Sequence, residues 1–342
     1  MNNSVRIKSL FALGTIGALL ASCHNDGIES SIQPETKKNV GLDAVTCRFL
    51  QNTRSTDVDT WDMYDQIGIS MCRQYTNDPS ELYSELGSDE VAFNRCYYTT
   101  TSGSSEFTAY NATQKIWFPS DTTVVRFVAY YPYSEKIDKS DGLYHLRLSN
   151  QSERGHRLSD CDILWGAAEK LSKYEPDVNI TFEHKLTQVV FYITPKGDLT
   201  KNDLQGSSLK LTHQRLEADF NIFSSNIKYM EEEGSLELKQ SEEKIDGEYY
   251  LAAKAIVLPN DAEQNPVSFI DTDDKQLSEL NNRHLVLSLP IGLRLTANLK
   301  DVDFKPGEKH VFYIEATTKG LTILRGEIAP WNTIEHDVVV IY

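Results

Sequence analysis

Val124-Val125-Arg126-Phe127-Val128-Ala129-Tyr130-Tyr131-Pro132 is the stretch that decides the fold. Apart from Arg126, every residue before the proline is apolar, and most are β-branched or aromatic, the types that fit a pleated surface. Pro132 has no amide donor and ends the run. A short, almost continuously apolar segment bounded in this way reads as a central strand of a β-sandwich.

Working outward, the same kind of segment recurs along the chain. Upstream lie Val45 to Leu50, Gln66 to Met71, and three short candidates at Tyr97 to Thr100, Phe107 to Tyr110 and Lys115 to Phe118. Downstream, Tyr144, Leu146 and Leu148 alternate with His145 and Arg147, the period-two signature of a half-exposed strand. Ile180 and Phe182 alternate with Thr181 and Glu183, and Leu186 to Thr194 follows. Leu216, Ala218, Phe220 and Ile222 alternate with Glu217, Asp219 and Asn221. Tyr249 to Leu258 ends at Pro259, and Leu285, Leu287 and Leu289 alternate again. Val311 to Ala316, Leu321 to Ile328 and Asp337 to Ile341 close the series.

Helix is sparse. One short helix is expected over Asp78 to Leu86, with Asp78 as N-cap, Pro79 in the first turn and Gly87 past the end. A further turn or two is expected around Cys161 to Lys170 or Asp274 to Asn281. Many short strands with turn signals between them give an all-β fold of packed sheets. The best boundary lies near Lys173 to Asp177, with a similar number of strands on each side. That divides the folded part into an N-terminal β-sandwich over 44–174 and a C-terminal one over 175–342.

Composition agrees. A chain of 342 residues is comfortable for two domains. With 40% apolar and 25% charged residues it is neither wholly disordered nor a polytopic membrane protein. The 17 Tyr and 13 Phe against 4 Met suit sheets better than helix bundles. A net charge of −16 and the lack of any basic cluster exclude nucleic acid as a partner.

The first residues read as an address. Arg6 and Lys8 precede an apolar run from Leu10 to Leu20, too short to span a bilayer but right for a signal peptide. It ends in Leu20-Ala21-Ser22-Cys23, which resembles a bacterial lipobox, so residues 1–22 are expected to be removed and Cys23 lipidated. Removal takes away Arg6 and Lys8 and no acid, moving the net charge from −16 to −18. Acyl chains contribute about 0.8 kcal/mol per buried CH₂, so lipid on Cys23 is a firm tether. Residues 23–43 are mostly polar and read as a flexible stalk. Asp26 resembles the acidic surface-export signals of Bacteroides-group lipoproteins. Cys47, Cys72, Cys96 and Cys161 fit no CxxC metal pattern; export permits disulfides among them, and buried thiols are the equal alternative.

Chemistry is thin. The chain has no HExxH, GxSxG, P-loop or strand-linked GxGxxG. Asp271-Thr272-Asp273-Asp274 starts like a calcium loop but has Gln276 and Asn282 where Gly and Glu are needed. Glu231-Glu232-Glu233 reads as a charged hairpin tip. Trp61, Trp117, Trp165 and Trp331 read as core or rim packing before they read as sugar platforms. No catalytic residue, cofactor or metal is expected, and the chain does not read as an enzyme.

Several segments together resemble the fimbrillin family, the subunits of Bacteroides-group type V pili. They are Arg54-Ser55-Thr56-Asp57 with Trp61-Asp62 and Asp65 to Ile69; Ile116 to Pro119 leading into Phe127 to Tyr133; Asp162 to Ala167; Ile180 to Leu186; and Phe304 to Glu308, Val311 to Ile314 and Ile328 to Trp331. The resemblance implies two tandem transthyretin-like β-sandwich domains. It implies a non-enzymatic structural and adhesion subunit of a surface pilus, exported to the outer membrane as a lipoprotein. It also implies that a trypsin-like protease removes the first strand, and that a strand from another subunit fills the groove.

Val45, Cys47 and Phe49 would mark the removable strand, and Arg54 the cut. His184 is expected to be a satisfied structural histidine. Asp337 to Tyr342 is expected to be the last strand of its own domain, with a short donor strand as the alternative; this favours a tip, minor or anchor subunit over bulk shaft. Partners would be other pilus subunits and a host or bacterial surface receptor. The competing reading is a glycan-binding surface lipoprotein of a polysaccharide-uptake system.

Overall fold

A computed structural model of the chain describes residues 40–49, 60–73, 90–119, 123–153, 157–230, 233–245, 247–260, 283–299, 302–331 and 339–341. Cys23, Arg54, the helix expected at Asp78 to Leu86 and the acidic stretch Asp271 to Asp274 lie outside these residues.

Strands dominate what is described. β1 (Gly41–Leu42), β2 (Ala44–Phe49), β3 (Gln66–Arg73), β4 (Glu90–Tyr98), β5 (Glu106–Ala109) and β6 (Ile116–Trp117) come first. β7 (Val125–Tyr131), β8 (Leu143–Arg147), β9 (Leu164–Leu171), β10 (Asn179–His184) and β11 (Thr187–Pro195) follow. Next are β12 (Ser208–Arg215), β13 (Glu217–Asn221), β14 (Ile227–Tyr229), β15 (Glu233–Glu237), β16 (Lys239–Ile245) and β17 (Glu248–Val257). The series ends with β18 (His284–Ser288), β19 (Arg294–Asn298), β20 (Glu308–Thr317), β21 (Gly320–Pro330) and β22 (Val339–Ile341). Helix is confined, among the described residues, to single turns at Leu158–Cys161 and Lys201–Leu204. The helical turn expected within Cys161 to Lys170 is instead mostly β9, whose Leu164 and Gly166 alternate inward with Trp165 and Ala167.

The first group of strands closes on itself in the order β10-β2-β5-β4-β3-β7-β9. Its interior holds Val45, Cys47, Trp61, Ile67, Ile69, Met71, Tyr97, Phe107, Phe127, Tyr131, Ile180 and Phe182. A sandwich is the expectation from sequence pattern alone; here pairing of β9 with β10 joins the sheet edges. Closure removes free edges and the unpaired backbone groups they carry.

A six-stranded sheet, β16-β17-β11-β20-β21-β22, is the second group. Its inner face (Val189, Phe191, Ile193, Ala253, Phe312, Ile314) packs in one core with Leu209, Leu211, Phe220, Leu285 and Leu287. Those residues come from the sheets β15-β12-β18-β19 and β14-β13-β8.

β7 is buried along its whole length. Phe127, Ala129 and Tyr131 enter the barrel core, whereas Val128 and Tyr130 enter the core of the second group. Burial on both faces is why its sequence lacks alternation. Strands also cross the boundary expected near Lys173 to Asp177, since β10, after it, closes the barrel while β8, before it, pairs with β13. Fully buried Gln151 adds a polar link: its side chain donates to the Ile256 carbonyl at 2.9 Å and accepts the Ile256 amide at 2.7 Å.

Candidate functional site

The candidate site is β2 and the slot that holds it. Its sequence alternates, so Val45 and Cys47 point into the barrel, Arg48 points out, and Phe49 sits half-buried at the end. One edge runs parallel to β10, with Cys47 level with Ile180 and Phe49 level with Phe182. The other runs antiparallel to β5, with Val45 level with Phe107. Backbone bonds flank it on both sides: the Thr46 amide donates to the Val178 carbonyl at 2.9 Å and the Cys47 amide to the Ser105 carbonyl at 2.7 Å. The Trp61 indole N–H donates to the Cys47 carbonyl at 3.0 Å.

Just upstream, β1 pairs with β6. Leu42 is buried, and its carbonyl accepts the Tyr97 hydroxyl at 2.9 Å. Burial pushes the Tyr97 phenol up to about 12, so it stays a neutral donor. An ion pair between Lys115 and Asp43 closes this end. Residues 41–49 thus form one extended insert, β1 paired along β6 alone and β2 along both edges, with Leu42, Val45 and Cys47 inside; the stalk expected over 23–43 has already given way to paired strand at Gly41. Burying a side chain such as Val45 is worth about 1.5–3 kcal/mol.

The far end of β2 opens into a cleft of roughly 210 Å³ lined by Phe49, Trp61, Asp65, Asp162, His184 and Trp331 among others. Phe49 stacks on Trp61 with ring centroids 4.5 Å apart. His184 stacks on Trp331 at 4.2 Å and faces Phe49 at 6.1 Å. His184 Nδ1 lies 2.9 Å from Asp162 Oδ2. Asp162 Oδ1 is buried with no hydrogen-bond partner. Burial raises the Asp65 carboxyl above its ordinary range, against the opposing effects of the Asp62 amide and Arg157.

The structure therefore brings Val45, Cys47 and Phe49 together in one strand. Cys47, Cys72, Cys96 and Cys161 are unbridged. Burial raises the Cys47 thiol well above its ordinary value and the Cys96 thiol to about 11. Sequence reasoning did not find the part that Leu42, Tyr97 and Asp162 play; Asp162 and His184 do stand in quoted motifs, but nothing local pairs them. No group of three His, Cys, Asp or Glu residues suited to a metal ion occurs among the described residues. The arrangement is a slot for an extended strand with an aromatic pocket at its end.

A family model described as fimbrillin-like matches residues 53–331. A curated relative from Bacteroides uniformis, named Putative fimbrium subunit Fim1C, is 35% identical over 208 residues, covering 60% of this chain and 61% of that protein. The match thus spans less than two thirds of the relative's length. Among solved structures, a putative cell adhesion protein from Bacteroides uniformis has a TM-score of 0.61 at 24% identity, covering 86% of this chain and 99% of its own. A putative cell adhesion protein from Bacteroides ovatus has a TM-score of 0.60 at 18% identity, covering 88% and 99%. These two likenesses are of fold.

Proposed function

The chain belongs to the fimbrillin-like family, and on that premise we propose that it is a non-enzymatic structural and adhesion subunit of a surface pilus, joined to its neighbours by β-strand exchange. It is exported as a lipoprotein on Cys23 and reaches the outer membrane. A trypsin-like protease cuts after Arg54 and frees the segment that carries β2, and another subunit's strand takes its place. In place of sandwich domains divided at 174 and 175, the two folded units of this reading are the closed barrel, which runs past residue 174 to include β10, and the sheets around the second core, which take in β8.

The observation that carries this reading is the placement of β2. It is the first long strand after the stalk, yet it sits inside a closed barrel, hydrogen-bonded on both edges. Its loss would leave β5 and β10 with unpaired edges and an empty apolar slot, a state that strand addition relieves. The subunit's place on the pilus is proposed as tip, minor or anchor; the last described strand, β22, pairs with β21 of its own chain. A glycan-binding surface is less well supported. It needs several coplanar rings on one exposed face, and the exposed rings among the described residues, Trp117, Tyr64, Tyr110 and Tyr174, make no stacked pair with one another.

The N-terminus of the protein recovered from cells tests this reading. A lipidated Cys23 is expected on an anchor, and Ser55 on a cut subunit. An unmodified N-terminus elsewhere in the stalk would contradict it.

A further inference from the structure

We propose that the strand replacing β2 is selected by an aromatic side chain at the place of Phe49, with small or medium apolar side chains two and four residues before it; this rests on the strand-exchange reading above.

The three inward positions of β2 have different surroundings. Val45 and Cys47 are enclosed by the barrel wall and fully buried, so those positions accept only side chains of similar size. Phe49 lies where the slot widens into the cleft. Its ring is held nearly face-on between Trp61, with planes 29° apart, and His184, with planes 18° apart. His184 continues the stack onto Trp331 at 12°. Trp61, His184 and Trp331 all follow the proposed cut, so they stay with the folded body. Only Phe49 leaves, and it is an inner ring of the four.

An aliphatic side chain could fill the vacated volume but could not stack on the two rings beside it. Stacked aromatic pairs are worth about two- to tenfold in affinity beyond the area they bury. The Asp162 Oδ1 atom, buried in the same cleft without a partner, offers an acceptor to a tyrosine hydroxyl. Tyrosine should therefore serve as well as phenylalanine.

The test uses the mature chain cut between Arg54 and Ser55, with the protease then inhibited. Fluorescent peptides of sequence Asp43 to Phe49 carry Cys47→Ala and Arg48→Gln, both at sites where the ring is not involved. The Phe49 position is Phe, Tyr or Leu. We expect Phe and Tyr peptides to bind about tenfold more tightly than Leu. In a Trp61→Leu protein the gap should shrink to about threefold or less, since one stacked pair is lost; His184→Leu gives the same comparison should the first variant not fold. Equal binding of Phe and Leu peptides would leave strand exchange intact and overturn aromatic selection. No uptake of any peptide by the cut chain would overturn strand exchange itself.

Discussion

Trp61 shows how one side chain joins β2 to the rest of the barrel. Its ring touches Phe49, Phe107, Tyr131 and Phe182, and its N–H satisfies the Cys47 carbonyl. Trp61→Ala should cost about 3–5 kcal/mol, as large core truncations do. Trp61→Phe keeps a ring but leaves that carbonyl without its donor, which should cost about 1–3 kcal/mol. Denaturant unfolding of the two variants checks both values. Part of this is legible in the sequence, because Trp61 stands in a motif beside Asp62 and Asp65. Its ring partners come from β2, β5, β7 and β10, and no local pattern names them. The same limit applies to the Asp162–His184 pair. For the cysteines, spacing leaves disulfides and thiols equally open, and only the fold separates them.

Among elements, the strands are the most legible part. β7 betrays itself by continuous apolarity, and β13, Glu217-Ala218-Asp219-Phe220-Asn221, by alternation of polar and apolar residues. Strands such as β16 escape notice because an exposed edge strand, Lys239-Gln240-Ser241-Glu242-Glu243-Lys244-Ile245, has no buried face to mark it. Closure of the barrel is also silent in the sequence. It depends on the close approach of β9 to β10 at Gly166, where an added Cβ would fall 2.4 Å from the Thr181 carbonyl oxygen and 2.6 Å from the Ile180 side chain. Gly166→Ala should push this seam apart and cost about 1–3 kcal/mol, typical of overpacking. A lowered denaturation midpoint would show it. An unchanged midpoint would mean that the seam relaxes freely.

At the level of the whole molecule, an acidic chain of net charge −16 folds around two main cores. On the proposed reading β2 is the strand of the barrel that is replaced, and the second core, which contains no residue of β2, should stay intact when it goes. β7 belongs to both cores, so removing β2 leaves β7 anchored on its other face. Family membership follows from the match over 53–331, whereas exchange of β2 is the proposed step on which the assembly mechanism rests.

That step can be measured directly by mass spectrometry of the mature chain after a cut at Arg54, in the presence of a labelled strand with the sequence of β2. If β2 is replaceable, the fragment ending at Arg54 leaves, one labelled strand enters per molecule, and the uncut chain takes up none. A fragment that stays in place while the cut chain remains monomeric and unlabelled would contradict strand exchange at this site.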